Sequence, residues 1–302
     1  MTCRRRSGII ASASFSALLL GASHIVQAEE AARPPASANQ SGCNRQAFRV
    51  VVDVGHTAEV PGAFSARGVP EYEFNLRLAR EIERGLIEAG FTRTVLLVTT
   101  GPSRPGLFAR VTRANHGPAD LFLSIHHDSV PNQFKEKWEY EGKEHAYCDR
   151  FPGHSIFISN DNVNSAGSLE FAKLLGMQLK ARGLRYTPHY TEPFMVNRRR
   201  ELVDAEAGVY RYDQLIVLRK SHMPAVLLEA GSIVNREEEL LLASPERQAL
   251  VSAAITDAVD EFCASRAARV ADRVRRPPVG AAAMPTVRSI AAPQQAPSGK
   301  GR

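Results

Sequence analysis

The sequence predicts an α/β fold: a single domain with a mixed, mainly parallel twisted sheet of about six strands, flanked by helices on both faces. Short runs of Val, Leu and Ile alternate with segments whose apolar residues recur every three or four positions, the pattern of strands alternating with helices. The apolar runs lack the alternation of a half-exposed strand, so both faces of the sheet are expected to be covered. Residues 45–264 are long enough to form this domain with a full core.

The two ends of the chain differ from this core. Residues 1–28 have the layout of a secretory signal, with arginines before an apolar stretch and small residues after it. We therefore expect a periplasmic protein, with secretion as the fallback. Residues 29–44 are interpreted as a linker, and residues 265–302, which are rich in Ala, Pro and Arg, predict a disordered basic tail.

The positive net charge belongs to these ends. The chain carries a net charge of +6, but the signal contains three arginines and the tail contains eight basic residues against one acidic residue. The core between them is net acidic, so the charge gives no reason to expect nucleic-acid binding. We expect a monomer.

Three cysteines remain after removal of the signal, and export permits disulfides. In an alternating strand–helix fold, the start of the first strand and the end of the last helix both lie on the face away from the active site. Cys43 and Cys263 occupy those places, so we predict that they pair and that Cys148 is left over.

The first strand carries the first candidate functional residue. Four valines and Asp53 form a buried run, Gly55 allows the backbone to turn, and His56 follows the strand's carboxyl end, where α/β proteins place their chemistry. A helix is then predicted to begin at Glu71, because from Phe74 onward an apolar residue recurs every fourth position and forms one apolar face. Gly90 marks its expected end.

The next strands repeat this arrangement. Residues 93–99 are predicted as a strand and 106–116 as a helix, and the buried run 120–128 ends in His126 and His127. Two strands that each end in histidine are harder to attribute to chance than one.

Two segments interrupt the alternation. Residues 130–153 are polar with scattered aromatics and predict a surface insertion, whose rings either line a groove for a polymer or form a satellite cluster. A strand at 154–159 and a helix at 168–182 follow. Residues 183–212 lose the pattern and are interpreted as a second insertion.

The last predicted strand has a carboxylate at its carboxyl end. Residues 215–218 and 225–228 are predicted strands, and the second ends in Glu229, where an unpaired carboxylate would be costly. Ser244 then caps a helix that starts at Pro245 and runs to about Phe262.

These strand-end residues suit zinc hydrolysis. Zn²⁺ accepts imidazole nitrogen and carboxylate oxygen, and three protein ligands leave a fourth position for water. The candidate ligands are His56, Glu71 and His126, and Glu229 is the candidate acid/base. Two rivals remain open at this point, Glu73 for Glu71 and His127 for His126.

The chain resembles the zinc-dependent N-acetylmuramoyl-L-alanine amidases of the type 3 class, which are bacterial cell-wall hydrolases. The resemblance covers about residues 48–262 and depends on four ordered motifs: Val52-Asp53-Val54-Gly55-His56; Glu71 followed by Phe74-Asn75-Leu76; Leu123-Ser124-Ile125-His126; and Met223-Pro224-Ala225-Val226-Leu227-Leu228-Glu229-Ala230-Gly231. Thr57-Ala58 replace the glycines usual after the first histidine, and His127 replaces a small residue.

The resemblance implies Zn²⁺-dependent hydrolysis of the amide between N-acetylmuramic acid and L-alanine in peptidoglycan. The alternatives are a zinc peptidase acting on another envelope amide and a non-catalytic envelope-binding protein on the same fold. Exported relatives often carry an inserted helix that blocks the site until an activator protein displaces it. Residues 183–212 would hold such a segment here, with Glu201 or Glu206 capping the zinc.

Overall fold

The computed structural model describes residues 42–275, which form a seven-stranded sheet with helices on both faces. The predicted fold class is confirmed, with one strand more than expected. In chain order the strands are β1 (Val50–Val54), β2 (Val95–Leu97), β3 (Leu121–Asp128), β4 (Glu136–Tyr140), β5 (Lys143–Tyr147), β6 (Ser155–Ile158), β7 (Glu201–Asp204), β8 (Val209–Arg211) and β9 (Ala225–Ser232). The sheet order is β2-β1-β3-β9-β6-β8-β7, and β4 and β5 form a separate hairpin.

Most strand pairs in the sheet are parallel. β1 pairs with β2 and β3, β3 with β9, and β6 with β8, all in parallel, whereas β6–β9 and β7–β8 are antiparallel. The carboxyl ends of β1, β3 and β9 therefore meet at one edge. Since β6 runs the opposite way, its amino-terminal end lies at that same edge.

In the described part of the chain, six α-helices cover the two faces of the sheet: α1 (Glu71–Glu88), α2 (Ser103–Asn115), α3 (Ser165–Ala181), α4 (Ile216–Arg219), α5 (Glu238–Ala243) and α6 (Pro245–Arg275). One core cluster joins α1, α3 and α6 to residues such as Val52 and Leu123. A second cluster joins α2 and α4 to the opposite side chains, including Val51 and Phe122. The alternation of strand side chains between faces produces this division.

Two predictions for the second half of the chain are wrong. Residues 215–218, predicted as a strand, lie largely in helix α4, because a four-residue apolar run does not distinguish strand from helix. Residues 183–212, predicted as an insertion, include β7 and β8, which belong to the main sheet. These strands are short and lie at its edge, where charged residues such as Glu201 and Arg211 hide the apolar pattern.

Helix α6 continues past the predicted end of the domain at residue 264. It reaches Arg275, because the segment contains good helix formers and the first proline comes only at Pro277. Its extension contacts the domain: Ser265 Oγ donates to Glu170 Oε1 at 2.6 Å, and Arg269 Nη1 donates to the same oxygen at 2.7 Å. The predicted signal and the rest of the predicted tail lie outside the described residues.

A disulfide closes the edge opposite the carboxyl ends of β1 and β3. Cys43 bonds Cys263, as predicted, and Cys148 is a buried free cysteine. Arg45 Nε also contacts Asp260 Oδ1 at 2.7 Å across the same junction. The segment that precedes β1 and the middle of α6 are thereby held together.

The 130–153 segment folds back on the domain through its hairpin. Trp138 stacks on Tyr140 with ring centroids 5.4 Å apart and donates its indole N–H to the Ala66 carbonyl at 2.8 Å. Arg67 and Arg236 lie over the Trp138 ring. The sequence left two interpretations of these aromatic rings open, a groove for a polymer and a satellite cluster. The contacts of Trp138 correspond to the satellite cluster. Within residues 42–275, no helix is both long and apolar enough to cross a membrane.

Candidate metal centre

Three side chains that the sequence singled out converge at the carboxyl edge of the sheet. His56 follows β1, Glu71 is the first residue of α1, and His126 lies on β3. One ligand atom from each lies within 4.8 Å of the others. His56 Nε2 is 3.1 Å from Glu71 Oε2, and His126 Nδ1 is 3.0 Å from Glu71 Oε1. Each carboxylate oxygen thus faces one imidazole.

Two glycines make room for this arrangement. A Cβ added to Gly55 would lie 2.5 Å from the ring of His126. One added to Gly62 would lie 2.4 Å from Glu71 Oε2, and Gly62 has a φ of +82° that favours glycine. The close approach of the backbone to the cluster therefore requires glycine at both positions.

A buried arginine fixes the backbone of the first histidine. His56 adopts a φ of +66°, which is unusual outside glycine. Arg110 of α2, only 3% exposed, donates to the His56 carbonyl, and its Nε donates to Thr99 Oγ1 at 2.8 Å. Asp53 lies 3.6 Å from Arg110 Nη1. Burial raises the pKa of Asp53 to about 6.

Glu71 is ionised although it is 5% exposed. Burial alone would raise the pKa of Glu71, but hydrogen bonds to His126 and His56 outweigh it and hold the pKa well below its usual value. The Ala63 N–H and the Asn75 amide also donate to its carboxylate, at 3.1 and 3.2 Å.

The two rival residues lie elsewhere. His127 points to the other face of β3, where its Nδ1 is 2.8 Å from Asn75 Oδ1 and its ring packs against Phe74. Glu73 is exposed and lies 3.5 Å from Arg77. Adjacent strand residues alternate between faces, so His126 and His127 cannot both reach the cluster.

Glu229 lies beside the cluster on β9. It is the register partner of His126 in the parallel β3–β9 pair, so the two side chains project from the same face of adjacent strands. Its Oε2 is buried and makes no hydrogen bond within the described part of the chain. Burial, followed by the charges of Asp128 and Glu71, raises the pKa of Glu229 well above its usual value. From the sequence we expect a partner for a carboxylate at this buried strand end, and no protein group within the described residues supplies one for Oε2.

A third carboxylate at this edge, Asp128, was missed by sequence reasoning. Asp128 accepts hydrogen bonds from the Tyr190 hydroxyl at 2.9 Å and from the Ser129 N–H at 2.7 Å. Burial raises the pKa of Asp128 to about 7. Its position two residues after His126 on the same strand was an available signal. Tyr190 lies in a segment with no pattern to mark it.

The two glutamates expected to cap the centre lie away from it. Glu201 pairs with Arg211 at 3.3 Å and Glu206 pairs with Lys180 at 3.2 Å, both at the surface. Across residues 183–212 the structure has short 3₁₀ turns and strands β7 and β8, with no inserted α-helix. The expected capping by Glu201 or Glu206 is therefore wrong.

The donor set fits a catalytic zinc ion. Two imidazole nitrogens and one carboxylate oxygen provide three ligands of the types that Zn²⁺ accepts, and they leave a fourth position open. The unpaired Oε2 of Glu229 is a buried acceptor for a water or a substrate group at that position.

Comparisons with known proteins agree on one family. The family model described as N-acetylmuramoyl-L-alanine amidase matches residues 50–261. A putative N-acetylmuramoyl-L-alanine amidase of Buchnera aphidicola is 22% identical over 227 residues, covering 72% of this chain and 97% of that protein. The amidase AmiA of Salmonella typhimurium is 22% identical over 286 residues, covering 87% and 92%.

The fold is shared with solved structures. The crystal structure of the N-acetylmuramyl-L-alanine amidase Ami1 from Mycobacterium smegmatis superposes with a TM-score of 0.56 at 21% identity, covering 72% of this chain and 98% of that one. An amidase from Clostridium difficile 630 gives a TM-score of 0.52 at 22% identity, covering 71% and 95%. At these sequence identities, the structural similarity shows a shared fold and nothing further.

Proposed function

The chain belongs to the N-acetylmuramoyl-L-alanine amidase family, whose substrate is peptidoglycan, and from this premise we propose that it works as a zinc enzyme with a defined set of residues. His56, Glu71 and His126 would hold the ion, and Glu229 would be the catalytic acid/base. The bond cleaved is the amide between N-acetylmuramic acid and L-alanine. The observation that carries the proposal is the convergence of the three ligand atoms beside Glu229, in register with His126.

The bound zinc ion would supply Lewis acidity, polarising the scissile carbonyl and lowering the pKa of water. Glu229 would take the proton from the attacking water and deliver it to the leaving nitrogen of L-alanine. Its buried Oε2 has no competing partner in the described residues, so this oxygen is available to accept the proton. Arg110 and Gly55 would position the histidines.

The first test is digestion of purified peptidoglycan, with and without a chelator, by the wild-type protein and by Glu229→Ala. Released fragments are identified by mass spectrometry. We expect free stem peptides beginning at L-alanine, lost on chelation and in the variant. Glu73→Ala is the matched control, because Glu73 is exposed and lies outside the cluster, and it should retain activity. Release of intact sugar–peptide units with cut cross-links would instead show that the protein is a peptidase.

Export remains part of the proposal. Residues 1–28 as a signal, 45–264 as the catalytic domain and the periplasm as the compartment agree with the cell-wall substrate of the family, and secretion is the fallback. A monomeric state and an activator protein that relieves inhibition are also part of the proposal. Activity of the purified mature protein alone, equal to that after deletion of 183–200, would argue against an activator acting through that segment.

A further inference from the structure

Two adjoining hollows lie beside β7, the outermost strand at one side of the sheet, and its neighbour β8. Their volumes are about 370 and 460 Å³, and Arg199, Arg200 and Glu201 line both. Arg211 and Tyr212, at the end of β8, line the first. No residue of the candidate metal centre is part of their walls. We refer to the two hollows together as the β7–β8 groove.

The strand directions place the β7–β8 groove away from the metal centre. β8 runs parallel to β6, and β6 runs antiparallel to β9. The carboxyl end of β8, where Arg211 and Tyr212 lie, is therefore at the end of the sheet opposite the carboxyl ends of β1, β3 and β9. A ligand in the groove lies apart from the bond that the enzyme is proposed to cleave.

Arg200 presents an unused pair of donors at this groove. Its Nη1 donates to the carbonyls of Asn197 at 3.0 Å and Arg199 at 2.8 Å. Its Nε is buried and makes no hydrogen bond within residues 42–275, and its Nη2 makes none there either. Nε and Nη2 form the side of a guanidinium that can engage two oxygens of a carboxylate or phosphate at once. Because buried charged donors are normally paired, the unpaired Nε indicates a ligand.

The ring of Tyr212 holds the guanidinium of Arg200 in place. The Arg200 Cζ atom lies 3.6 Å from the centroid of that ring, so one face of the guanidinium is covered. The two carbonyls bonded to Nη1 fix its rotation within the plane. The donor pair is thus oriented before a ligand arrives, which reduces the entropic cost of binding.

The charges on the groove walls favour an anion. Both wall carboxylates pair with the same arginine, since Glu201 lies 3.3 Å from Arg211 Nη1 and Asp213 lies 2.6 Å from Arg211 Nε. Arg199 and Arg200 form no ion pair within the described residues. Three arginines therefore face two carboxylates, and two of these arginines have no acidic partner.

We propose that the β7–β8 groove is an oxyanion-binding site, in which Arg200 Nε and Nη2 hold two oxygens of a carboxylate or phosphate group. Arg199 adds a second positive charge, and Gln214 on the wall offers an amide donor. The ligand is an anionic molecule held at a place separate from the site of hydrolysis. This inference goes beyond the proposed function and does not depend on it.

The first measurement follows the Nε–H signal of Arg200 by NMR while inorganic phosphate or acetate is added to the purified protein. The signal is assigned by its loss in Arg200→Lys. We expect it to shift and saturate, because the anion accepts a hydrogen bond from this N–H. The anion that binds more tightly identifies the ligand as a phosphate or a carboxylate. A wild-type Arg200 signal that does not shift saturably with either anion would overturn the proposal.

Two arginine variants separate a shaped site from attraction by positive charge alone. Arg200→Lys keeps the charge but loses the paired donors, whereas Arg198→Gln removes the charge of an exposed arginine that lines neither hollow. Backbone amide signals of Tyr212 and Asp213 report binding in each protein. We expect the dissociation constant to rise roughly tenfold in Arg200→Lys and to change less than about twofold in Arg198→Gln. Attraction by charge alone predicts the reverse order, and that result would overturn the proposal.

Discussion

The two edges of the parallel sheet have opposite characters. At the carboxyl edge, Glu71 and Glu229 are buried with strongly shifted pKa values, and one oxygen of Glu229 is unpaired among the described residues. At the other edge, the Cys43–Cys263 disulfide and the Arg45–Asp260 ion pair join the first strand to the last helix. The same strands connect the two edges, so Glu229, whose burial destabilises the fold at one edge, is held in place by covalent and ionic contacts at the other.

The largest expected effect is at the carboxyl edge. Glu229→Gln removes the proton carrier and should lower kcat by about 10³-fold. The same change should raise the free energy of unfolding of the metal-free protein, because it replaces a buried carboxylate whose ionisation the fold disfavours. Turnover and urea unfolding measure the two effects. Loss of both activity and stability would contradict the contrast between the edges.

The opposite edge should show the reverse. Replacing Cys43 and Cys263 together by Ser removes a cross-link with a sequence separation of 220, and we expect the free energy of unfolding to fall by roughly 3–5 kcal/mol. The kcat of the folded variant should match the wild type, since the bond lies away from the metal centre. Reducing agent added to the wild type is the control. A tenfold loss of kcat at a temperature where the variant is folded would show that the edges are coupled.

Acid should lower the free energy of unfolding through His154, a buried neutral histidine at the carboxyl edge. The pKa of His154 falls from 6.5 to about 4 on burial, so the unfolded chain binds more protons between these values and stability falls as pH drops through this window. At pH 4.5 the loss attributable to His154 is roughly 2–3 kcal/mol relative to pH 7.5. Unfolding of wild type and His154→Gln at both pH values measures it; equal pH dependence would contradict the assignment.

The smallest expected effect concerns metal affinity. Arg110→Gln removes the side chain that holds the His56 carbonyl, so we expect roughly tenfold weaker Zn²⁺ binding by calorimetric titration. Arg113→Gln is the matched control, because Arg113 lies on the same helix and its Nη1 donates to the Val98 carbonyl at 2.8 Å. Equal affinities in the two variants would show that the backbone of His56 needs no such support.

The sequence predicted which side chains converge at the carboxyl edge of the sheet better than it predicted their surroundings. His56, His126 and Glu229 each follow or end a long buried apolar run, and such runs mark strands clearly. Neither β7 nor α4 has more than four residues, so no period develops in either. The contact between Tyr190 and Asp128 joins residues 62 positions apart, and a contact of this kind depends on tertiary packing that local pattern does not encode.

Local sequence pattern is equally unable to decide between His126 and His127 or to reveal a cavity built from distant stretches of chain. Sequence position favoured His126 over His127, but only the alternation of β3 in three dimensions shows which ring faces Glu71. A cavity of about 860 Å³ is lined by residues from 149–154, 183–194 and 230–247, and only the start of the last stretch belongs to a motif found in the sequence.

The place of β9 in the sheet has a consequence for how the chain folds. Among the nine strands within residues 42–275, β9 is the last in sequence, yet it lies between β3 and β6 and joins the two halves of the sheet. A ribosome-bound chain that ends before residue 225 has no strand with which to connect those halves. Folding is therefore governed by contacts of long sequence separation, which form slowly. The sheet is completed only once nearly the whole domain has been synthesised, and until then its two halves expose unpaired strand edges to other proteins.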